Sequence, residues 1–173
     1  MKMIADINIS FEEAINLTEK FIQNLPTLDE KNQENIVKSL VASDNGARGF
    51  FVTYLTSALP VVDNVSMGII EGLKSSADIV SELLVKNLAM STAMAITHQR
   101  NDDLVMAESS QTVTKRTIVL MEELNLVEVE QKLAEMKKTI NNSEGIYQQF
   151  LTRWGYDNEQ KQAILNSILM IIS

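Results

Sequence analysis

Apolar residues recur at three- and four-residue spacing along most of the chain, and this pattern predicts an all-α protein. The first stripe begins after Ser10, which forms with Glu13 the spacing of a capping box, and it stops at Pro26. Its buried face consists of Phe11, Ala14, Ile15, Thr18, Phe21, Ile22 and Leu25. Stretches that alternate between apolar and polar residues, as strands do, are no longer than chance would give.

The boundaries indicate seven or eight helices in a single compact array, with residues 1–173 as one domain. A long central helix is predicted at about residues 76–100 and a second long helix at about 102–125. The second of these is capped by Asn101 or Asp102. A shorter helix over residues 144–154 is expected to break at Gly155, after which Asp157 and Gln160 have the spacing of another capping box.

Between the first and the central helix, the signals are turn-forming residues. Thr27 and Asp29 compete to cap a second helix, and the sequence Asp44-Asn45-Gly46 predicts a turn before a helix over residues 47–58. Asp63 is then expected to cap a segment that runs to Lys74.

Composition indicates an ordinary globular protein, with 45% hydrophobic and 22% charged residues. The absence of cysteine excludes disulfides and thiolate chemistry and favours the cytoplasm. No secretion signal is expected at the N-terminus. The longest uncharged runs, residues 49–62 and 87–99, fall short of the roughly 20 apolar residues that cross a bilayer, so no membrane contact is expected.

The chemistry of the side chains excludes several classes of function. A net charge of −8 opposes binding to nucleic acid, which needs clustered basic residues. With one histidine, His98, and no cysteine, we expect no transition metal and no cofactor. Neither a phosphate-binding loop, nor a dinucleotide fingerprint, nor a Gly-x-Ser-x-Gly elbow occurs. The sequence therefore predicts a protein that is not an enzyme.

One candidate site lies where Asp44, Asn45 and Arg48 meet a predicted helix N-terminus, whose free amides favour an anion. Arg48 could hold the acidic group of a small anionic or amphipathic ligand, while Phe50, Phe51 or Tyr54 line an apolar pocket. The alternative is that Arg48 pairs with Asp44 or another acid, and that Gly46 and Gly49 serve the turn and close packing.

A second polar cluster falls at the end of the central helix, where His98 and Arg100 precede Asp102 and Asp103. These residues could bind a ligand, or His98 could move a proton. Both cations also suit a helix C-terminus, where they complement the dipole without any ligand.

A third cluster, near the C-terminus, holds the only tryptophan and two of the three tyrosines of the sequence. Aromatic and arginine side chains anchor protein interfaces, although this spacing also fits a core stripe. The partner-binding candidates are Tyr147, Phe150, Arg153, Trp154 and Tyr156. The leading hypothesis is a non-catalytic helical interaction or assembly domain, with another protein or a second copy as partner in a homodimer; the alternative is a ligand-binding or sensor domain that uses Arg48.

Overall fold

The computed structural model describes residues 3–172, and within them the chain is helical without any strand, which confirms the predicted all-α class. The described part contains nine α-helices and two 3₁₀ turns, Leu25–Thr27 and Pro60–Asp63. The helices are α1 (Phe11–Asn24), α2 (Glu30–Val41), α3 (Asp44–Thr56), α4 (Met67–Lys74), α5 (Ala77–Arg100), α6 (Leu104–Leu124), α7 (Val127–Asn142), α8 (Gln148–Trp154) and α9 (Asn158–Leu169).

Contacts between residues divide the chain into two compact units, one up to Leu83 and one from Leu84 on. The division falls inside α5. By sequence, residues 1–83 carry 12 acidic and 6 basic groups, a net charge of −6, and the remaining 90 residues carry 11 and 9, a net charge of −2. Three quarters of the negative excess therefore belongs to the first unit.

The first unit is built on close approaches between helices at glycine. A Cβ atom at Gly49 of α3 would lie 2.4 Å from the Ala14 Cβ of α1. On α4, a Cβ at Gly68 would lie 2.3 Å from the Glu30 carbonyl oxygen, and one at Gly72 would lie 2.7 Å from a side-chain carbon of α2. Contact with a neighbouring backbone is thus possible because these positions have no side chain.

The second unit joins its helices partly through buried polar groups. The Gln160 side chain, at the start of α9, donates to the carbonyl oxygen of Ala93 at 3.1 Å and to the hydroxyl of Thr97 at 2.9 Å, both on α5. Ser91 of α5 and Thr114 of α6 share a hydrogen bond of 2.7 Å. Because buried polar groups must be paired, these bonds fix the register of α5 against its neighbours.

Several predicted boundaries hold. The Ser10–Glu13 and Asp157–Gln160 capping boxes are both present, and Asp29 rather than Thr27 caps α2. The central helix begins at Ala77 and ends at Arg100. Gly155 ends α8 with a φ of 63°, as a helix-terminating glycine should.

The predicted turn at Asp44-Asn45-Gly46 is wrong. These residues form the first turn of α3, because the Ser43 hydroxyl caps the helix by accepting from the Gly46 amide at 3.1 Å. Gly46 is not among the described glycines with positive φ. It is needed for another reason, since a Cβ there would lie 2.0 Å from the Leu40 carbonyl oxygen.

Three other predicted helix starts are also wrong. Asp63 ends a 3₁₀ turn, and Ser66 caps α4. Asp103 caps α6, because its own ψ of 77° lies outside the helix and its side chain accepts from the Met106 amide at 3.2 Å. The last short helix begins at Gln148 and not at Glu144.

Length and composition make α5 apolar enough to cross a membrane, which the two shorter runs considered in the sequence did not suggest. Half of its most apolar window is buried inside the protein. A core helix of a soluble protein passes the same test of length and composition, so the absence of membrane contact stays a prediction.

Candidate functional site

Arg48 is exposed near the start of α3, and its side chain contacts an aromatic ring. The guanidinium carbon sits 5.0 Å from the centroid of Phe11 on α1, within the range of a cation–π interaction. Among residues 3–172, Arg48 forms no ion pair with Asp44 or with another acid. The expected pairing of Arg48 with Asp44 or another acid is therefore wrong, because its partner is the face of an aromatic ring and not a carboxylate.

Tyr54, the aromatic candidate of the same site, is buried in the core with 1% of its surface exposed. Its ring stacks on Phe50 at a centroid distance of 5.2 Å, and its hydroxyl donates to the Val62 carbonyl oxygen at 2.7 Å. Phe50 and Phe51 are equally buried. The structure thus places Arg48, Asp44 and Asn45 on the surface and the aromatic residues in the interior, and it does not bring them together around a pocket.

Arg100 binds two carboxylates at the start of α9, one from its N-cap residue and one from its first turn. Its guanidinium donates to the Asp157 carboxylate at 2.7 Å and to the Glu159 carboxylate at 3.0 Å. The hydrogen bond from Arg100 lowers the pKa of Asp157, and the bonds to Asp157 and Glu159 raise the pKa of Arg100. A ligand anion at Arg100 would have to compete with both acids.

His98, the other polar candidate of α5, is half-buried two residues before the helix end. Its backbone carbonyl oxygen accepts from the Asp103 amide at 2.9 Å and from the Asn101 amide at 3.2 Å. The backbone of His98 therefore closes the turn between α5 and α6. Within the described residues, no group of three or more His, Cys, Asp or Glu side chains could hold a metal ion.

The five partner-binding candidates separate into interior and surface residues. Tyr147 and Tyr156 are buried, with 3% and 8% exposed, and burial raises the pKa of Tyr156 to about 12. Phe150 is half-buried, and its ring packs edge-to-face with that of Tyr156, with the ring centroids 6.3 Å apart. Trp154 is 48% exposed, and its ring lies 5.6 Å from the guanidinium of Arg153, which is exposed as well. Only the last two are placed to meet a partner.

Sequence reasoning missed a run of exposed apolar side chains at the start of α6. Leu104, Val105 and Met106 are 70%, 76% and 46% exposed. The signal was present, because three consecutive helical residues point about 100° apart and a single buried face cannot hold all of them. Together they form the apolar run of α6.

Two open grooves of the described surface, one in each unit, bear on the predicted ligand site. One, in the first unit, runs between α1 and α3 and has a volume of about 510 Å³; the other, in the second unit, has about 280 Å³ and includes Ile118 and Met170. A volume of roughly 300 Å³ is the lower end for small-ligand sites. Arg48 belongs to neither lining, so the proposed link between Arg48 and a ligand cavity has no support in these grooves.

Fold and surface together define an all-α protein with apolar side chains and open grooves displayed on its helices. A model of the family described as uncharacterised conserved protein UCP020893 matches residues 10–171, and the chain belongs to that family. No curated protein and no solved structure matches the chain.

Proposed function

We propose that the protein is a non-catalytic helical assembly domain that forms a homodimer through the apolar run of α6. The exposure of Leu104, Val105 and Met106 carries this proposal, because large apolar side chains at successive positions gain nothing from contact with water. Two copies related by a twofold axis would place the same run on both sides of one interface.

The size of the run sets the expected strength of the dimer. Six side chains, three from each copy, contribute roughly 9 kcal/mol at about 1.5 kcal/mol each. Association costs about 4 to 15 kcal/mol in lost freedom of motion. The two terms are of similar size, so the dimer should be weak and should depend visibly on concentration.

Sedimentation equilibrium of the wild type and of Val105→Asp tests the proposal. Aspartate in the first turn of a helix is favourable, so this variant should fold as well as the wild type while it places a charge inside the interface. Val127→Asp is the matched control, because Val127 is 57% exposed in the first turn of α7. We expect a concentration-dependent dimer for the wild type and for the control, and a monomer for Val105→Asp.

Two outcomes contradict the proposal. One is a wild type that stays monomeric at the highest concentration reached. The other is a dimer that Val105→Asp leaves intact, which would move the interface elsewhere. Trp154→Ala in the same experiment tests whether the exposed tryptophan belongs to the interface: if it does, the variant dissociates at higher concentration than the wild type.

A further inference from the structure

The groove of the first unit, here called the α1/α3 groove, follows one face of α1. Ile15, Glu19 and Ile22 lie at spacings of four and three residues, which is the geometry of a single helical face. The lining of α1 reaches Gln23, so at 1.5 Å per residue the groove extends for about 12 Å, slightly more than two helical turns.

The opposite wall comes from α3 and the segment that follows it. Val52 and Leu59 contribute large apolar side chains to this wall, with 43% and 44% of their surface exposed, and Ile15 faces them from α1. The groove is thus an open trough between two helices, two turns long, with apolar groups on both sides. This shape corresponds to the mode of recognition in which an amphipathic helix lays its apolar face into a groove.

The polar groups of the lining define the charge that such a helix should carry. The hydroxyl of Thr53 already donates to the Gly49 carbonyl oxygen at 2.8 Å, and that of Thr56 donates to the Val52 carbonyl oxygen at 2.5 Å. Glu19 is exposed, and among the described residues that line the groove it is the only charged one. Its carboxylate can accept hydrogen bonds from a cation and has nothing to offer to an anion.

We propose that the α1/α3 groove binds a basic amphipathic helix of a partner protein, with apolar side chains set between Ile15 and Val52 and a lysine or arginine at Glu19. The net charge of −6 on residues 1–83 supports a cationic partner, because the field of the whole unit attracts it and repels anions. This replaces the anionic ligand that Arg48 suggested. The proposal concerns a different unit from the apolar run of α6 and does not depend on homodimer formation.

The probes are a panel of designed helical peptides. The affinity of each peptide for the full-length protein is measured by isothermal titration calorimetry. Each peptide carries leucine at positions i, i+3, i+4 and i+7. The peptides differ in where their lysines lie relative to these leucines, so that the panel samples every position on the polar face. A scrambled peptide of the same composition and a peptide with glutamate for lysine are the negative probes. A simple alkylamine tests whether a small cation with an apolar tail is sufficient.

Glu19→Gln is the diagnostic variant, with Glu12→Gln as its matched control. Both residues are exposed glutamates of α1, and both changes remove one negative charge, but Glu12 lies outside the groove lining. We expect Glu19→Gln to weaken the best lysine peptide about two- to fivefold, as an exposed ion pair should, and Glu12→Gln to leave its affinity nearly unchanged. Val52→Lys should weaken it about tenfold or more, because it adds a like charge to the apolar wall.

The proposal is overturned if no peptide of the panel binds, or if the scrambled or glutamate peptide binds as tightly as the lysine peptide. Equal weakening by Glu12→Gln and Glu19→Gln would also overturn it, since the attraction would then be a property of the net charge and not of the groove. An alkylamine that binds as tightly as the best peptide would replace the helical partner with a small cation. Circular dichroism melts of each variant confirm that a lost affinity is not a lost fold.

Discussion

Gly49→Ala should destabilise the first unit by forcing α1 away from α3. The added Cβ would lie 2.4 Å from the Ala14 Cβ and 3.0 Å from the Phe11 carbonyl oxygen, whereas carbon atoms in contact are normally about 3.5 to 4.0 Å apart. The helices must therefore separate by roughly 1 Å. Backbone lies directly behind both neighbours, so no side-chain rotation relieves the contact.

The expected magnitude is a difference between two effects. Forced overpacking costs about 1 to 3 kcal/mol, and the upper end applies here because the shift must include backbone. Alanine in a helix interior gains about 1 kcal/mol over glycine. The net loss in the free energy of unfolding should be about 2 kcal/mol, measured by urea denaturation followed by circular dichroism, which for a protein of this size corresponds to a fall in Tm of about 4 to 8 °C.

A double-mutant cycle separates this steric account from a general intolerance of alanine. Ala14→Gly removes the Cβ that the new methyl group meets, so Gly49→Ala/Ala14→Gly should be at least about 1 kcal/mol more stable than the sum of the single changes. Gly155→Ala is the control, because no tertiary neighbour among residues 3–172 lies within 4 Å of its added Cβ, and its cost arises from a φ of 63°. The stability changes of Gly155→Ala and Ala14→Gly should add in the double variant. Additivity at Gly49, or a stabilised Gly49→Ala, would refute the reasoning.

Three further predictions rest on single residues. Arg48→Ala should lower the free energy of unfolding by only about 0.5 to 1 kcal/mol in urea titrations, because it removes an exposed cation–π contact and leaves no acid unpaired; a loss of 3 kcal/mol or more would indicate a buried partner. Gln160→Ala should lower the free energy of unfolding by about 1 to 3 kcal/mol in the same assay, since it removes two hydrogen bonds to α5 and half of a capping box. Gln160→Glu should also be destabilised, because a carboxylate cannot donate these two bonds; a Gln160→Ala variant as stable as the wild type would argue against them. Arg100→Gln should flatten the acid limb of the stability curve: the folded-state pKa of Asp157 is below its usual value of 3.8, so this carboxylate stabilises the fold above that pH and the contribution is lost as pH falls through the lowered pKa. An acid limb unchanged in Arg100→Gln would show that the ion pair does not set it.

Sequence reasoning succeeded where the information is local. A capping box involves residues three positions apart, so Ser10 with Glu13 and Asp157 with Gln160 could be predicted without knowledge of the tertiary structure. It failed where two local signals competed. Asp102 and Asp103 are equally good caps by composition, and the backbone of Asp103 decides between them, because its ψ of 77° keeps it outside the helix.

The candidate sites were harder to predict because long-range contacts determine them. Arg100 meets carboxylates 57 and 59 positions away, and no pattern within one helix indicates such a pair. Gly46 has two physical explanations in sequence, a positive φ or a close approach, and only the position of the Leu40 carbonyl group distinguishes them. The apolar run of α6 could have been recognised, because it exceeds what one helical face can bury.

The close contact at Gly49 and the α1/α3 groove are parts of one arrangement. Ala14 meets Gly49 at the contact, and the groove begins with the next residue of α1, Ile15, and with Val52, about one turn further along α3. The separation of α1 and α3 at the contact therefore sets the width of the groove. Gly49→Ala, which moves α1 outward, should change the affinity of the lysine peptides as well as stability, whereas Gly155→Ala should change stability alone. If Gly49→Ala lowers stability while peptide affinity stays constant, the groove is not shaped by this contact and its width must be set by the residues that follow Thr56.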